Sequence, residues 1–293
     1  MRFYQCGNDR ESRLWGRSTS RSERFARKQD AESSHRGPGL GVVVHTRLQR
    51  EAEFHDHVFT DDFRAEASRF YAVASKSKGL YRKRVLHACE GLDVLEYGCG
   101  PGSCAFDLAR RGAHVTGIDI SPGAIELARA QAASEGLEQQ IEFEVMNAEA
   151  LPLADHRFDR ICGSGILHHL DVTRALAEIQ RVLRPDGDAV FFEPLGHNPL
   201  INWYRRRTPA MRTVDEHPLM ASDLRLLAAG FGRNRFSYHH LISLAAAMWD
   251  GRPGFGLLTG LLGALDRCVL TLPWIRRQAW IVIAELEEPR EGS

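Results

Sequence analysis

The 293-residue chain has no excess of charge of either sign, no long apolar run and no paired cysteine motif. Its Lys and Arg residues equal its Asp and Glu residues at 38 each, so it lacks the positive charge of a dedicated nucleic-acid binder. No apolar run reaches the roughly 18–20 residues that a spanning helix needs. The first residues lack the apolar core of a secretory signal, and the six cysteines form no C-x-x-C pair. We therefore expect a cytoplasmic protein with reduced thiols, without a zinc site and without a nucleic-acid partner.

The composition changes twice along the chain. Residues 1–40 are rich in Arg and Ser and poor in large apolar side chains, which predicts a disordered tail. Residues 41–90 carry apolar residues at helical spacing and are expected to form a helical cover. In residues 91–293, short β-rich runs alternate with amphipathic helices, which is typical of βαβ units. The predicted fold is therefore α/β, with a doubly wound, mostly parallel seven-stranded sheet.

The predicted strands are residues 92–97, 114–120, 141–146, 158–162, 188–193, 235–240 and 279–286. Ser121 and Pro122 are expected to begin a helix that Gly136 ends. Another helix is expected to close at a turn formed by residues 184–187. Residues 194–221 and 241–278 are additions to a minimal sheet-and-helix unit, and we expect both to cap the substrate site.

A glycine-rich turn follows the first predicted strand and precedes a helix. Gly98, Gly100 and Gly102 permit positive φ angles and let a ligand contact bare backbone, while the helix N-terminus adds N–H donors. The dinucleotide fingerprint needs a glycine where Ser103 stands, and the charge of Glu96 would repel a pyrophosphate. An NAD-dependent oxidoreductase is therefore disfavoured, whereas a sulfonium cofactor would be attracted to this acid.

The turn resembles the cofactor motif of the class I S-adenosylmethionine-dependent methyltransferases that act on small molecules. Further marks of that family are the acid that ends the second strand, the segment after the third strand and the loop after the fourth strand. The resemblance covers residues 92–193 and implies S-adenosyl-L-methionine as the cofactor, with no metal. It implies the following cofactor-binding residues: Glu96, Gly98, Cys99, Gly100, Gly102, Asp119, Ile120, Asn147, Ala148 and Ser164.

In this family, the acid at the position of Asp119 binds both ribose hydroxyls, and the segment that begins at Asn147 lines the adenine. The family more often has Asp where this chain has Asn147, so the amide oxygen would have to accept the adenine amino proton.

Three residues near the predicted strand ends are candidates for catalysis. Glu193 closes the fifth strand, His168 follows the fourth strand beside His169, and His197 stands in a turn beyond the sheet edge. A carboxylate or an imidazole there could take a proton from the acceptor. The alternative is that His168 packs against the cofactor and His169 caps the next helix.

The two late insertions are expected to contact the acceptor. The first brings hydrogen-bonding and cationic side chains, of which we predict substrate contacts for Asn198, Tyr204, Arg205 and His217. The second carries a helical stripe of apolar residues: Leu257, Leu258, Leu261, Leu262, Leu265, Val269 and Leu270. Such a stripe is usually core or a homodimer face, and the alternatives are a wall for an apolar acceptor or contact with a membrane surface.

The resemblance implies methyl transfer to an O, N or C atom, and the insertions predict that the acceptor is a small, partly apolar metabolite. The alternative is a non-catalytic S-adenosylmethionine-binding scaffold that acts through a protein partner.

Overall fold

The computed structural model describes residues 47–53, 68–208, 213 and 215–290. Residues 47–53 form helix α1, and helix α2 spans Ser68–Val85. The predicted tail at 1–40 and part of the predicted helical cover at 41–90 lie outside the described residues. Where that cover is described, it is helical as far as Val85.

Seven strands form one sheet. They are β1 (Asp93–Tyr97), β2 (His114–Asp119), β3 (Ile141–Val145), β4 (Phe158–Ser164), β5 (Leu183–Pro194), β6 (Phe231–His239) and β7 (Ile281–Pro289). Their order is β3-β2-β1-β4-β5-β7-β6. The β7 strand runs antiparallel to β5 and β6, and the remaining neighbours are parallel. The prediction of a doubly wound, mostly parallel seven-stranded sheet is confirmed.

The helices that follow the first strand are α3 (Ala105–Ala109), α4 (Pro122–Glu135), α5 (Val172–Val182), α6 (Pro199–Arg207), α7 (Ala221–Ala229) and α8 (Phe255–Val269). Short 3-10 segments lie at Leu167–His169, Ser243–Trp249 and Arg276–Gln278. The predicted ends of α4 are confirmed. Ser121 Oγ accepts a hydrogen bond from Ala124 N at 3.0 Å, and Gly136 ends the helix with φ at 68°.

The segment expected to be a turn, residues 184–187, is the first part of β5. Leu183 pairs with Phe158 and Asp188 pairs with Arg160, and the register shifts between these two pairs. A bulge can accommodate extra residues on one strand without ending the pairing. The predicted start of the fifth strand, Asp188, was therefore wrong, and β5 begins as soon as α5 ends.

Apolar side chains fill both faces of the sheet. Phe191 and Phe192 are consecutive residues of β5, and they belong to the two opposite core clusters, as the alternation of a strand requires. The end of α2 is fixed to this core by Arg160 on β4. Its guanidinium donates to Val85 O at 2.9 Å and His87 O at 2.8 Å, and it pairs with Asp188 at 2.6 Å. The helical cover is thus joined to the sheet through a buried cation.

Candidate active site

A pocket opens at the edge of the sheet where the parallel strands β1, β2 and β4 end. It is bordered by the glycine turn after β1 and by the segments after β2, β3 and β4. All but one of the predicted cofactor residues line it, namely Gly98, Cys99, Gly100, Gly102, Asp119, Ile120, Asn147, Ala148 and Ser164. The carboxyl edge of an open α/β sheet is the usual place for a ligand.

The glycine turn leaves no room for side chains at two of its positions. Gly98 has φ at 65°, and a Cβ atom there would lie 2.6 Å from the side chain of Ile166. Gly102 has φ at 95°, and its Cβ atom would overlap the ring of Phe106. The packing of the turn therefore requires glycine at both positions, and both glycines also line the pocket.

Glu96 is the predicted cofactor residue that does not line the pocket. Its carboxylate is buried and accepts hydrogen bonds from Cys104 N at 2.7 Å, from Ala105 N at 2.9 Å and from the hydroxyl of Ser103. Burial raises its pKa, and these hydrogen bonds oppose that effect. Glu96 therefore fixes the end of the glycine turn at Ser103 and the start of α3. Its contact with the cofactor stays a prediction.

Asp119 joins the end of β2 to the glycine turn. Its Oδ2 atom accepts from Gly100 N at 2.8 Å and its Oδ1 atom accepts from Ser121 N at 2.9 Å. A carboxylate has about four acceptor sites, so each oxygen can still accept a hydroxyl proton. Asn147 is held in a similar way, because its Oδ1 atom accepts from Glu149 N at 3.0 Å.

Sequence reasoning missed pocket residues that come from the N-terminal helices. Leu48 and Glu51 on α1 and Lys78 on α2 line the same pocket as the glycine turn. No local motif marks these residues, because they reach the pocket only through packing of the helices against the sheet edge.

His169 is the histidine of the pair after β4 that lines the pocket. Its Nδ1 atom lies 3.1 Å from Oε2 of Glu51, which is buried. The hydroxyl of Thr213 donates to the other carboxylate oxygen of Glu51. The pocket thus contains an imidazole beside a carboxylate, an arrangement that can hold or move a proton.

Glu193 and His168 lie behind the pocket wall and do not line it. Glu193 accepts from Ile166 N and Leu167 N, each at 2.9 Å, and its Oε2 atom lies 2.8 Å from Nδ1 of His168. Burial raises the pKa of Glu193 to about 7, and burial also lowers the pKa of His168 well below its ordinary value. The two predicted catalytic residues therefore support the backbone that carries Ile166 and His169.

The side chains of His168, His169 and Glu216 come close to one another. Their potential ligand atoms lie within 4.8 Å, a separation at which a metal ion could be considered. Glu216 Oε1 already accepts from Arg205 at 2.8 Å, and Nδ1 of His168 lies against Glu193. Arg205 and Glu193, which lie next to this cluster, thus supply partners of opposite charge to Glu216 and His168.

The side chains of His197 and Asn198, two predicted residues of the first insertion, make hydrogen bonds to backbone groups. His197 Nε2 accepts from Ala221 N at 3.2 Å. Asn198 is buried, accepts from Ile201 N at 3.0 Å as the N-cap of α6 and donates to Gln278 O at 2.8 Å. Neither residue lines the pocket.

The remaining predicted substrate residues lie beyond the pocket lining as well. Tyr204 packs on Phe70 of α2 with ring centroids 4.9 Å apart, and Arg205 pairs with Glu216. His217 is exposed. Their predicted contacts with an acceptor stay predictions, because none of the three residues lines the pocket.

Comparison with known proteins also points to a methyltransferase. Residues 94–187 match the model of a family described as a methyltransferase domain. Over 156 residues the chain is 35% identical to a ubiquinone biosynthesis O-methyltransferase of Alkalilimnicola ehrlichii, a match that covers 50% of this chain and 62% of that relative. Over 104 residues it is 42% identical to the methyltransferase GfsG of Streptomyces halstedii, covering 35% and 37% of the two chains.

Solved structures resemble the fold over most of the chain. Geranyl diphosphate C-methyltransferase from Streptomyces coelicolor A3(2), in complex with Mg²⁺, geranyl diphosphate and S-adenosyl-L-homocysteine, has a TM-score of 0.54 at 14% identity, with 73% of this chain and 80% of that chain covered. Haemonchus contortus phosphoethanolamine N-methyltransferase 2, in complex with S-adenosyl-L-methionine, has a TM-score of 0.54 at 17% identity, with 73% and 53% covered. At these identities the likeness concerns the fold.

Residues 94–187 therefore match a methyltransferase domain, and the glycine turn and Asp119 lie within that match. The chain covers 37% of the length of the Streptomyces halstedii relative and 62% of the length of the Alkalilimnicola ehrlichii relative, which is less than two thirds of each.

Proposed function

We propose that this protein is an active S-adenosylmethionine-dependent methyltransferase that methylates a hydroxyl oxygen of a small, partly apolar metabolite. One observation carries the proposal: the glycine turn and Asp119 line the same pocket as His169, which lies beside Glu51. A cofactor cradle and a proton acceptor thus share one cavity.

The residues present fit the cofactor. Gly98 and Gly102 line the pocket, Asp119 offers acceptors for ribose hydroxyls, and Asn147 lines the same pocket for the adenine. Lys78 supplies a cation to the same pocket for the carboxylate of the methionine part. When bound, S-adenosylmethionine supplies an electrophilic methyl group on a sulfonium.

The proton of the acceptor goes to His169. Methyl transfer to a hydroxyl would form an oxygen–carbon bond and break a carbon–sulfur bond of the bound cofactor, so the hydroxyl proton would have to leave. His169 takes that proton, and the negative charge of Glu51 stabilises the resulting imidazolium. Glu193 and His168 keep the backbone of this segment in place, so on this proposal they are positioning residues.

An oxygen acceptor is favoured over an amine by the base in the pocket, and over nitrogen and carbon by the names of curated relatives. A neutral hydroxyl needs a base more than an amine does, and the pocket holds one in His169. The curated relatives also include proteins named as O-methyltransferases. The partly apolar character of the metabolite rests on Leu48, Met146, Ile166 and Leu170, which line the pocket.

The test is a turnover assay with S-adenosylmethionine labelled in its methyl group and a fractionated metabolite extract. We expect S-adenosylhomocysteine to form together with a labelled product whose methyl group is on oxygen. His169→Ala should lower turnover by about 10²-fold or more, whereas His114→Asn, at an exposed histidine that begins β2, should leave it unchanged. Saturable cofactor binding without any product would favour the non-catalytic scaffold instead.

A further inference from the structure

The second insertion, residues 241–278, presents large apolar side chains to solvent before, along and after helix α8. Met248 is 82% exposed and precedes the helix, and Trp274 is 71% exposed and follows it. We define the α8 patch as Met248, Trp249, Leu257, Leu261, Leu265, Leu272 and Trp274, all of which are exposed. Exposed large apolar side chains that are concentrated in one insertion usually mark an interaction surface.

Helix α8 is apolar on two faces. Leu257, Leu261 and Leu265 recur at four-residue intervals and share the outer face, where they are 69%, 60% and 52% exposed. Leu258 and Leu262 pack on the inner side against the cluster that contains Val73 of α2. The inner leucines account for the attachment of the helix to the domain, and the outer ones have no such role.

The insertion is held firmly in this position by buried polar groups. Asp266 on α8 accepts from Ile242 N and from Ser243 Oγ, each at 2.6 Å. Ser243 Oγ lies 3.0 Å from Nδ1 of His240, whose Nε2 atom lies 2.7 Å from Ser77 Oγ on α2. The helix that carries the outer leucines is therefore fixed to the rest of the domain by buried hydrogen bonds.

The segment that carries the α8 patch has an excess of positive charge. Exposed Arg252, Arg267, Arg276 and Arg277 all belong to residues 241–278. The segment has two acids, Asp250 and Asp266, and Asp266 is buried in the hydrogen bonds just described. The whole chain has no net charge, so this excess of arginine is a local feature.

We propose that the α8 patch docks the protein onto the surface of an anionic lipid bilayer. Leucines would enter the headgroup boundary, tryptophans suit the interface between apolar and wet regions, and arginines would pair with anionic lipids. A second copy of the chain is less suited to this face, because a twofold interface would bring the same arginines towards one another. Contact would be peripheral, since none of the described helices has the length and apolar character needed to cross a bilayer.

The test is co-sedimentation of the full chain with vesicles of phosphatidylcholine alone or with about a third of phosphatidylserine. We expect binding to the anionic vesicles that falls with added salt, and weaker binding to the neutral ones. In a triple variant with Leu257→Gln, Leu261→Gln and Leu265→Gln, the fraction of protein bound to anionic vesicles should fall at least about fivefold relative to the wild type. Leu127→Gln, at a leucine that is 50% exposed on α4, is the matched control and should bind like the wild type.

Folding of each variant is checked by its circular dichroism spectrum and thermal midpoint. Equal vesicle binding by the folded triple variant, or no binding by the wild type, would overturn the proposal. The patch would be assigned to a second copy of the chain under three conditions. The wild type would sediment as a dimer without vesicles, the triple variant would not, and the wild type would not bind vesicles. None of these readouts depends on methyl transfer, so the proposed function can fail or stand independently.

Discussion

Oδ2 of Asp119 accepts a hydrogen bond from the backbone N–H of Gly100 at 2.8 Å, so the acid that ends β2 is joined directly to the turn that follows β1. The same residue lines the pocket. The carboxylate that holds the glycine turn in shape is therefore also part of the pocket lining.

Asp119→Ala should weaken binding of S-adenosylhomocysteine by about 1–3 kcal/mol, because two ribose hydroxyls lose an acceptor. Isothermal titration calorimetry measures the effect. Asp186→Ala, at an exposed acid on β5, is the control and should bind normally. An unchanged affinity for Asp119→Ala would place the ribose elsewhere.

Gly98→Ala should lower the free energy of unfolding by about 1–3 kcal/mol and weaken cofactor binding, because the new Cβ atom would meet Ile166 at a positive φ. Gly79→Ala is the comparison. Gly79 lies in α2 with no heavy atom within 4 Å of an added Cβ, so alanine there should stabilise the protein by about 1 kcal/mol. Urea unfolding of both variants checks the contrast, and a Gly98→Ala protein as stable as the wild type contradicts it.

Glu51→Gln should lower kcat by about tenfold or more while changing cofactor affinity less than about twofold, because the amide no longer stabilises a charged His169. Steady-state kinetics and calorimetry measure the two quantities separately. Glu53→Gln, at an exposed acid on the same helix, is the control. Normal turnover by Glu51→Gln would remove Glu51 from the proton step.

The buried carboxyl of Glu193 should make stability depend on pH. Its pKa in the folded protein, about 7, lies above the ordinary value for an unfolded chain, so the folded state binds the proton more tightly. The stabilising contribution is therefore complete below the ordinary pKa and is lost as the pH rises through about 7. The lowered pKa of His168 acts in the opposite sense at acid pH, so the useful quantity is the difference between the wild type and Glu193→Gln.

That difference should change between about pH 5 and pH 8, with the wild type losing unfolding free energy relative to the variant as the pH rises. Urea titrations across this range measure it. Parallel profiles for the two proteins would show that Glu193 does not titrate in this window.

Chelation should not change turnover. The cluster of His168, His169 and Glu216 is compensated by Arg205 and Glu193, so we expect the same rate with and without EDTA. A rate that falls with EDTA and returns with a divalent cation would instead assign these three residues to a metal site.

The sequence was most informative where the signals are local. The caps of α4, the glycine turn and the acid at the end of β2 each follow from a residue and its immediate neighbours, and the structure has them in place. The start of β5 was missed because residues 184–187 have the sequence of a turn. In the structure they belong to β5, and the register of its pairing with β4 shifts there.

Long-range packing explains most of the remaining differences in the site. Glu51 reaches His169 from a helix far away in the chain, and no spacing rule connects the two. His168 and His169 are adjacent, so only the direction of the 3-10 segment decides which one lines the pocket. The sequence identified the outer stripe of α8 as apolar, but the division into buried and exposed leucines depends on α2.

The most direct test of the account is a crystal structure of the protein in complex with S-adenosylhomocysteine. We expect the adenosyl group in the pocket at the glycine turn, with both ribose hydroxyls on Asp119 and the sulfur on the side of His169. A ligand bound at another place, or a protein that takes up no ligand at saturating concentration, would contradict the central claim.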